Sequence, residues 1–161
     1  MVLSNGYSFF YAWTIANCWT EVTMLNLDNP THAAADARLR QETVIWLTTV
    51  NQAGQPQSSP VWFFTDGSEF LIYGSADGRK TRNIESNPRV CLHLDGNGEG
   101  GGIVIIEGTA TVDRQGPPAR TVDGFMAKYR ERIEAYGWTL EQLEKDYPHV
   151  IKVTPTRARI W

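Results

Sequence analysis

The chain has 161 residues, of which 42% are hydrophobic and 20% charged, with a formal net charge of −3. This composition is ordinary for a globular protein, and the length is sufficient for one domain. The slight negative charge argues against general nucleic-acid binding, which needs a broad basic surface. Cys18 and Cys91 lie far apart, so we expect no disulfide, a buried Cys91 thiol in a strand, and a reducing cytoplasm as the location.

The first 23 residues are rich in aromatic side chains and contain no lysine or arginine. A secretory signal needs a positively charged start, and a membrane span needs about 20 apolar residues, whereas Asn5 and Asn17 are among the polar residues here. Two interpretations stay open. The segment covers the domain, or it is a non-native upstream extension and Met24 is the true start. The predicted domain therefore spans residues 24–161.

Strand patterns dominate the domain after one helix. Residues 32–42 predict a helix with Ala33, Ala34 and Ala37 on one side, and Asp66-Gly67 predicts a two-residue hairpin turn. Glycine-rich or basic segments interrupt the later strands. The predicted strands are residues 43–50, 57–65, 68–74, 90–95, 103–112 and 149–161.

A pair of helices is predicted before the last strand. One apolar stripe at helical spacing is interpreted as core or interface packing and not as a cofactor site, and Gly137 ends its helix. Thr139 and Gln142 form a capping-box pattern for a short second helix. Six strands, mostly linked by hairpins, with helices at the edges predict a small antiparallel barrel of the α+β class, mainly β. The stripe consists of Val122, Phe125, Met126, Tyr129, Ile133 and Tyr136.

The sequence contains no enzyme motif whose surroundings satisfy the mechanism of that motif. GNGEGG (96–101) has the spacing of a dinucleotide-binding loop, but a strand follows it instead of the helix that would hold a pyrophosphate. We interpret it as a connection between antiparallel strands. His32, His93 and His149 are isolated, so the sequence predicts no metal site. No serine lies in a nucleophile motif.

A basic loop is the strongest candidate site. The stretch ADGRKTRN (76–83) follows a strand and opens a short helix, and three cations fall within four of its positions. A helix N-terminus presents unpaired N–H groups that favour an anion, and Ser75 can add a hydroxyl. The loop therefore predicts a site for one small phosphate or carboxylate. The alternative is a solvated turn whose cations pair with Asp77 or Glu85. The cations are Arg79, Lys80 and Arg82.

Two longer segments resemble a known family. SPVWF (59–63) and KTRNIESNPRV (80–90) occur in the order found in the split β-barrel flavin and deazaflavin oxidoreductases, the pyridoxamine 5′-phosphate oxidase-like superfamily. The resemblance runs from about Ala37 to the closing VTPTRARIW (153–161). It implies a six-stranded antiparallel split β-barrel with peripheral helices. It also implies a homodimer that holds two cofactors at its subunit interface.

The resemblance assigns roles to the basic loop by position. Ser75, Lys80, Arg82 and Asn83 would lie at or near the cofactor phosphate, with Lys80 the strongest match. Arg79 would either join them or point to solvent. The chain looks most like the branch thought to use the deazaflavin coenzyme F-420, whose acidic tail would favour additional surface cations.

A second group of positions is implied for the cofactor ring. Ser59, Pro60, Val61 and Trp62 would line the flavin-type ring, mainly through backbone contacts. Trp161 matches an aromatic position that in relatives approaches the partner's site.

The implied function is that of an oxidoreductase. A reduced deazaflavin would pass a hydride to an electron-poor acceptor, such as an activated alkene or a quinone, in a pocket bounded by Trp62 and the second subunit. The cofactor carries the chemistry, so no catalytic residue is predicted. Pyridoxamine phosphate oxidases proper carry an R-x-H element near the C-terminus. This chain has Arg157-Ala158-Arg159 there, so oxidation of pyridoxamine phosphate is not expected.

Three alternatives remain at this point. The same fold can hold FMN, which also ends in a phosphate. A stress-related module can bind flavin or haem without turnover, and a haem binder would need His93 or His149 exposed in a pocket. The third alternative is a barrel whose basic loop binds nothing.

Overall fold

The computed structural model describes residues 24–161, so the interpretations of residues 1–23 and of Cys18 lie outside the described residues. Within this range the chain forms one curled antiparallel sheet of seven strands with helices at its edges. The strands are β1 Ile45–Val50, β2 Pro56–Val61, β3 Phe64–Thr65, β4 Phe70–Gly74, β5 Arg89–His93, β6 Val104–Asp113 and β7 His149–Ile160. The helices are α1 Pro30–Gln41, α2 Arg79–Ser86, α3 Asp123–Ala135 and α4 Leu140–Asp146, with a 3₁₀ turn at Ala119–Thr121.

The sheet has the order β2-β1-β5-β6-β7-β4-β3, and each neighbouring pair is antiparallel. Buried and less buried residues alternate along β1 and β4, which directs one face of the sheet into the core. The centre of that core is fully buried and consists of Ile45, Leu47, Phe63, Ile72, Leu92, Ile106, Ile151 and Val153. No helix among residues 24–161 is long and apolar enough to cross a membrane.

The predicted class, an α+β split barrel, is confirmed, but the sheet has seven strands instead of six. The predicted strand 57–65 is broken at Trp62 and Phe63, which belong to neither β2 nor β3. The amide of Phe63 donates to the phenol oxygen of Tyr129 at 2.8 Å. A side chain of α3 therefore takes the hydrogen bond that a continuous strand would have used.

Helix α1 begins two residues earlier than predicted. The side chain of Asn29 caps it by accepting from the amide of Thr31, and Pro30 fills the first turn. Ala35 and Leu39 are the buried residues of the helix, whereas Ala34 and Ala37 are exposed. Leu39 brings more apolar area to the core than any alanine, and it sets the orientation of the helix.

The connection between β3 and β4 is longer than the predicted two-residue turn. Thr65 pairs with Phe70, which leaves four residues, Asp66 to Glu69, in the loop. The Asp66 carboxylate accepts from the amides of Ser68 at 2.8 Å and Glu69 at 3.3 Å. This side chain closes the loop where a tighter hairpin turn was expected.

The apolar stripe of α3 is packing along most of its length. Phe125, Met126, Tyr129 and Ile133 are buried and form a second core cluster together with Leu143 of α4. The last member of the stripe, Tyr136, is 56% exposed, so core packing within residues 24–161 does not account for it.

Three smaller predictions fare differently. GNGEGG connects the antiparallel strands β5 and β6, as interpreted. Half of the capping box forms: Thr139 accepts from the amide of Gln142, but the Gln142 side chain donates to Asp146. The thiol of Cys91 is half-buried instead of buried, because its strand position faces away from the core.

Candidate functional site

A cavity of about 290 Å³ opens where β2, β4 and the start of α2 meet the pair α3–α4. Its volume is close to the lower end of the range for small-molecule sites, about 300 Å³. Four of the predicted cofactor-binding residues line it, namely three consecutive residues at the end of β2 and the lysine of α2. A set of aromatic side chains lines it as well. The lining residues are Pro60, Val61, Trp62, Tyr73, Lys80, Phe125, Tyr136, Trp138, Leu143 and Tyr147.

Lys80 is the cation of this cavity. It lies in the first turn of α2, and its side chain is half-buried. Burial lowers the pKa of Lys80, because removal of water disfavours the charged ammonium. Among residues 24–161, no carboxylate forms an ion pair with it. A partly desolvated cation without an opposite charge attracts an anion.

The start of α2 adds donors beside Lys80. Gly78 is the N-cap and has no side chain to accept from the helix amides. The carbonyl of Ser75 accepts from the Gly78 amide at 3.2 Å and from the Thr81 hydroxyl at 3.2 Å, which folds the loop back on itself. A Cβ at Gly78 would lie 2.7 Å from the hydroxyl oxygen of Ser75. The Ser75 hydroxyl therefore stands next to the N-terminus of α2.

Arg82 and Asn83 make contacts within the protein instead of lining the cavity. The Arg82 guanidinium donates to the carbonyl of Asp77 at 2.7 Å. Asn83 is buried, and its amide nitrogen donates to Thr49 at 2.9 Å and to Gln57 at 3.0 Å. These bonds tie α2 to β1 and β2. Both residues support the shape of the loop, and Asn83 fixes the position of its helix.

The alternative interpretation of the loop required pairing with acidic neighbours. Glu85 pairs with Arg114 at 2.5 Å, and the Asp77 carboxylate forms no ion pair among the described residues. None of the three loop cations is neutralised by either carboxylate.

Three other predicted residues lie away from this cavity. Arg79 is exposed, in agreement with the option that it points to solvent. Ser59 is half-buried in β2 opposite Leu47. Trp161 is 58% exposed, and its main chain pairs with Ile103.

Sequence reasoning assigned Trp62 to the site but missed the two aromatic side chains beside it, Tyr136 and Trp138. The rings of Trp62 and Tyr129 are stacked with centroids 4.7 Å apart, and Tyr136 and Trp138 continue this array at 6.2 and 5.8 Å from Trp62. The signal that would have found these two side chains is the triplet YGW (136–138), which places two aromatic residues around a helix-ending glycine.

Tyr73 contributes a phenol that stays protonated. Its hydroxyl donates to the carbonyl of Pro117 at 3.0 Å. Burial, and secondarily the charge of Glu144, raises the pKa of Tyr73 to about 12. Tyr73 is therefore a fixed wall of the cavity whose phenol stays protonated near neutral pH.

The histidines offer no ligand to the cavity. His93 stacks on Trp46 with ring centroids 6.2 Å apart, and His149 lies 3.3 Å from the guanidinium of Arg114. His32 accepts from the amide of Asn26. None of these rings lines the cavity, so among residues 24–161 no histidine is placed there to serve as the axial ligand of a haem. Within the same residues, no three His, Cys, Asp or Glu side chains gather into a metal site.

Comparison with known proteins places this fold in a family. A curated pyridoxine/pyridoxamine 5′-phosphate oxidase of Edwardsiella ictaluri (strain 93-146) is 34% identical over 62 residues, which cover 38% of this chain and only 29% of that protein. A candidate pyridoxamine 5′-phosphate oxidase structure from Listeria innocua is 25% identical, with a TM-score of 0.57 over 80% of this chain and 95% of the other. An F-420 reductase structure is 24% identical, with a TM-score of 0.57 over 77% and 94% of the two chains. The pyridoxamine 5′-phosphate oxidase family model matches residues 31–161, so the resemblance is confirmed and the chain belongs to this family.

Proposed function

We propose that the chain is an oxidoreductase that binds a phosphate-bearing deazaflavin, coenzyme F-420, and reduces a small electron-poor acceptor. The observation that carries this proposal is Lys80, a half-buried cation that opens into a cavity and lacks a carboxylate partner among residues 24–161. Membership of an oxidase family supports the reaction class. The structural relatives at 24% identity and below support the fold alone.

The cavity residues fit such a cofactor by their chemistry. The Lys80 ammonium lines the cavity, and the first amides of α2 with the adjacent Ser75 hydroxyl lie next to it in the chain; these groups suit a phosphate. Pro60, Val61 and the indole of Trp62 line the same cavity and suit a flat ring. We assign Ser75 and Lys80 to the phosphate and residues 60–62 to the ring.

Within this proposal the protein supplies binding, orientation and a dry surface. The bound cofactor supplies a hydride, and the acceptor then takes one proton from water. Aromatic side chains form much of the cavity lining and would limit access of water to a bound ring. Tyr73 is held by Pro117, so it positions its neighbours and keeps its own proton. This division of labour explains why the cavity needs no acid–base pair.

The choice between F-420 and FMN depends on charge outside the cavity. F-420 carries an acidic tail, so cations around the entrance of the cavity would favour its binding. Arg79 and Arg89 are exposed near the two ends of α2. Family membership favours FMN as the second candidate. Both cofactors require the same anion site, so Lys80 serves in either case.

We further propose a homodimer. In the sheet formed by residues 24–161, β2 is an edge strand, and it carries predicted ring-binding residues. A second subunit that packs beside this edge can complete the cavity.

Oxidation of pyridoxamine phosphate remains outside the proposal. Arg157 and Arg159 are exposed, and Arg159 pairs with Glu107. The closing residues 157–161, where an R-x-H element would lie, contain no histidine for a substrate phosphate.

A parallel titration tests the proposal. Oxidised F-420 and FMN are each added to the cofactor-free protein while tryptophan fluorescence is recorded. We expect low-micromolar binding of F-420 and weaker binding of FMN. Lys80→Ala should lower the affinity about 10- to 150-fold, which corresponds to the free energy of a hydrogen bond to a charged group. Lys145→Ala, which removes an exposed lysine of α4, is the matched control. Absence of binding by both cofactors, or equal affinity of Lys80→Ala and the control, would reject the site.

A further inference from the structure

The connection between α3 and α4 carries two large aromatic side chains that the fold does not bury. Tyr136 is 56% exposed and Trp138 is 41% exposed, and both line the cavity that contains Lys80. Their ring centroids are 5.6 Å apart, and both rings approach the indole of Trp62. Exposed aromatic area in a cavity is typical of a ligand-binding surface.

The main chain under these rings is fixed without a ligand. The amide of Gly137 donates to Glu134 at 2.9 Å, and the amide of Trp138 donates to Ile133 at 3.1 Å. Gly137 has φ +69°, so the two bonds complete a Schellman motif at the end of α3. Tyr136 and Trp138 therefore leave the backbone on either side of a rigid turn.

The indole of Trp62 is also held in place, because it stacks on a buried ring. The buried ring of Tyr129 lies parallel to it, with an interplanar angle of 11° and centroids 4.7 Å apart. The wall of Trp62, Tyr136 and Trp138 thus rests on the core of the protein. A preformed wall lowers the entropy that a ligand loses when it orders its site.

The geometry of the rings points to the kind of ligand. Tyr136 and Trp138 are inclined to Trp62 by 20° and 36°, so the rings form a tilted stack and not the box of perpendicular faces that encloses a quaternary ammonium group. Lys80 lines the same cavity and repels cations. A flat, conjugated and uncharged or anionic ring fits both observations.

We propose that Tyr136 and Trp138 select the acceptor of the reaction by stacking on the face of a planar conjugated ring, in preference to a compact puckered alkene. This inference rests on the proposed function, because it names the acceptor class of the same cavity. The sequence predicted a pocket bounded by Trp62 and the second subunit, and Tyr136 and Trp138 add to Trp62 from the chain that carries Lys80.

The test compares side chains that keep or lose a flat face. Trp138→Phe keeps an aromatic face, whereas Trp138→Leu keeps apolar bulk without one, and Tyr136→Phe and Tyr136→Leu form the second pair. Trp46→Phe removes a tryptophan outside the cavity and controls for the change in fluorescence. The probes are menadione, which is planar, and cyclohex-2-enone, which is puckered.

Binding and turnover are both measured. Menadione affinity is measured by fluorescence quenching with oxidised cofactor present, and KM and kcat are measured for each probe. We expect each leucine variant to bind menadione about 2- to 10-fold more weakly than its phenylalanine counterpart, the value of an aromatic pair. KM for menadione rises in parallel, and this rise exceeds any change in cofactor affinity or in KM for cyclohex-2-enone.

Different results separate the two proposals. If the unmodified protein binds neither cofactor, the proposed function fails. If it binds cofactor but the leucine and phenylalanine variants bind menadione equally, the aromatic selection fails alone. A shift of oligomeric state in size-exclusion chromatography for Trp138→Leu would also overturn it, since the wall would then be a contact between subunits.

Discussion

The phenol oxygen of Tyr129 lies 2.8 Å from both the amide nitrogen and the carbonyl oxygen of Phe63. It also lies 2.9 Å from the carbonyl of Thr43. The hydroxyl accepts from the amide and donates to one of the two carbonyls, so it serves the backbone where β2 stops and β3 has not begun. The same side chain supports the ring of Trp62, which links this bend to the cavity.

Removal of that hydroxyl isolates a buried amide. We expect Tyr129→Phe to lower the free energy of unfolding by about 1–3 kcal/mol, because the Phe63 amide loses its partner in a water-poor environment. Tyr136→Phe, which removes the hydroxyl of an exposed tyrosine, is the matched control and should change the stability little. Urea unfolding followed by circular dichroism measures both. Equal stability of the two variants would show that water replaces the Tyr129 hydroxyl.

This bend also shows where the sequence loses predictive power. The strand patterns at residues 43–50 and 68–74 predicted β1 and β4 well, and one face of each strand is buried against the core. The break at Phe63 depends on a hydroxyl 66 positions away in the chain, which no local pattern contains. The seventh strand follows from that distant contact.

The residues of the cavity could also be predicted only in part from the sequence. The resemblance singled out Lys80 and residues 60–62, which the fold brings to one cavity. It also singled out Asn83, whose amide binds Thr49 and Gln57 within the protein. Periodicity assigned Tyr136 to packing, because the pattern identifies a helical face but not the point at which that face leaves the core.

Asn83 provides a test of how α2 is positioned. We expect Asn83→Ala to lower the free energy of unfolding by about 1–3 kcal/mol, since Thr49 and Gln57 lose a shared buried donor. Cofactor affinity should fall as well, because the N-terminus of α2 is no longer held. Thr49→Val removes one acceptor and leaves Gln57, so its effects should be smaller. Thermal unfolding and the cofactor titration measure both variants, and a larger effect of Thr49→Val would contradict this account.

Gly137 provides a test of backbone strain without a steric clash. It has φ +69°, and a Cβ placed there meets nothing within 4 Å. We therefore expect Gly137→Ala to cost about 1–2 kcal/mol, the penalty of the left-handed region for an L-residue. Asparagine tolerates this region better, so Gly137→Asn should cost less than Gly137→Ala. Chemical denaturation ranks the variants, and equal stability of all three proteins would argue against a strained turn.

The pH dependence of cofactor binding tests the charge of Lys80. Burial lowers the pKa of this lysine in the free protein, and a bound phosphate favours the ammonium, so binding raises the pKa again. Affinity is therefore constant below the pKa of the free protein. It falls as the pH rises through that value, by at most about tenfold per pH unit for one proton.

Lys80→Arg supplies the matched control for this profile. A guanidinium keeps its charge over the whole accessible range, so the affinity of the variant should not show this decline. Any titration of the cofactor itself is common to both proteins and cancels in their ratio. Fluorescence titrations between pH 7.5 and 10 measure that ratio, at constant ionic strength because salt screens the attraction. A ratio that does not change with pH, together with unchanged affinity of Lys80→Ala, would mean that the Lys80 ammonium does not contact the anion.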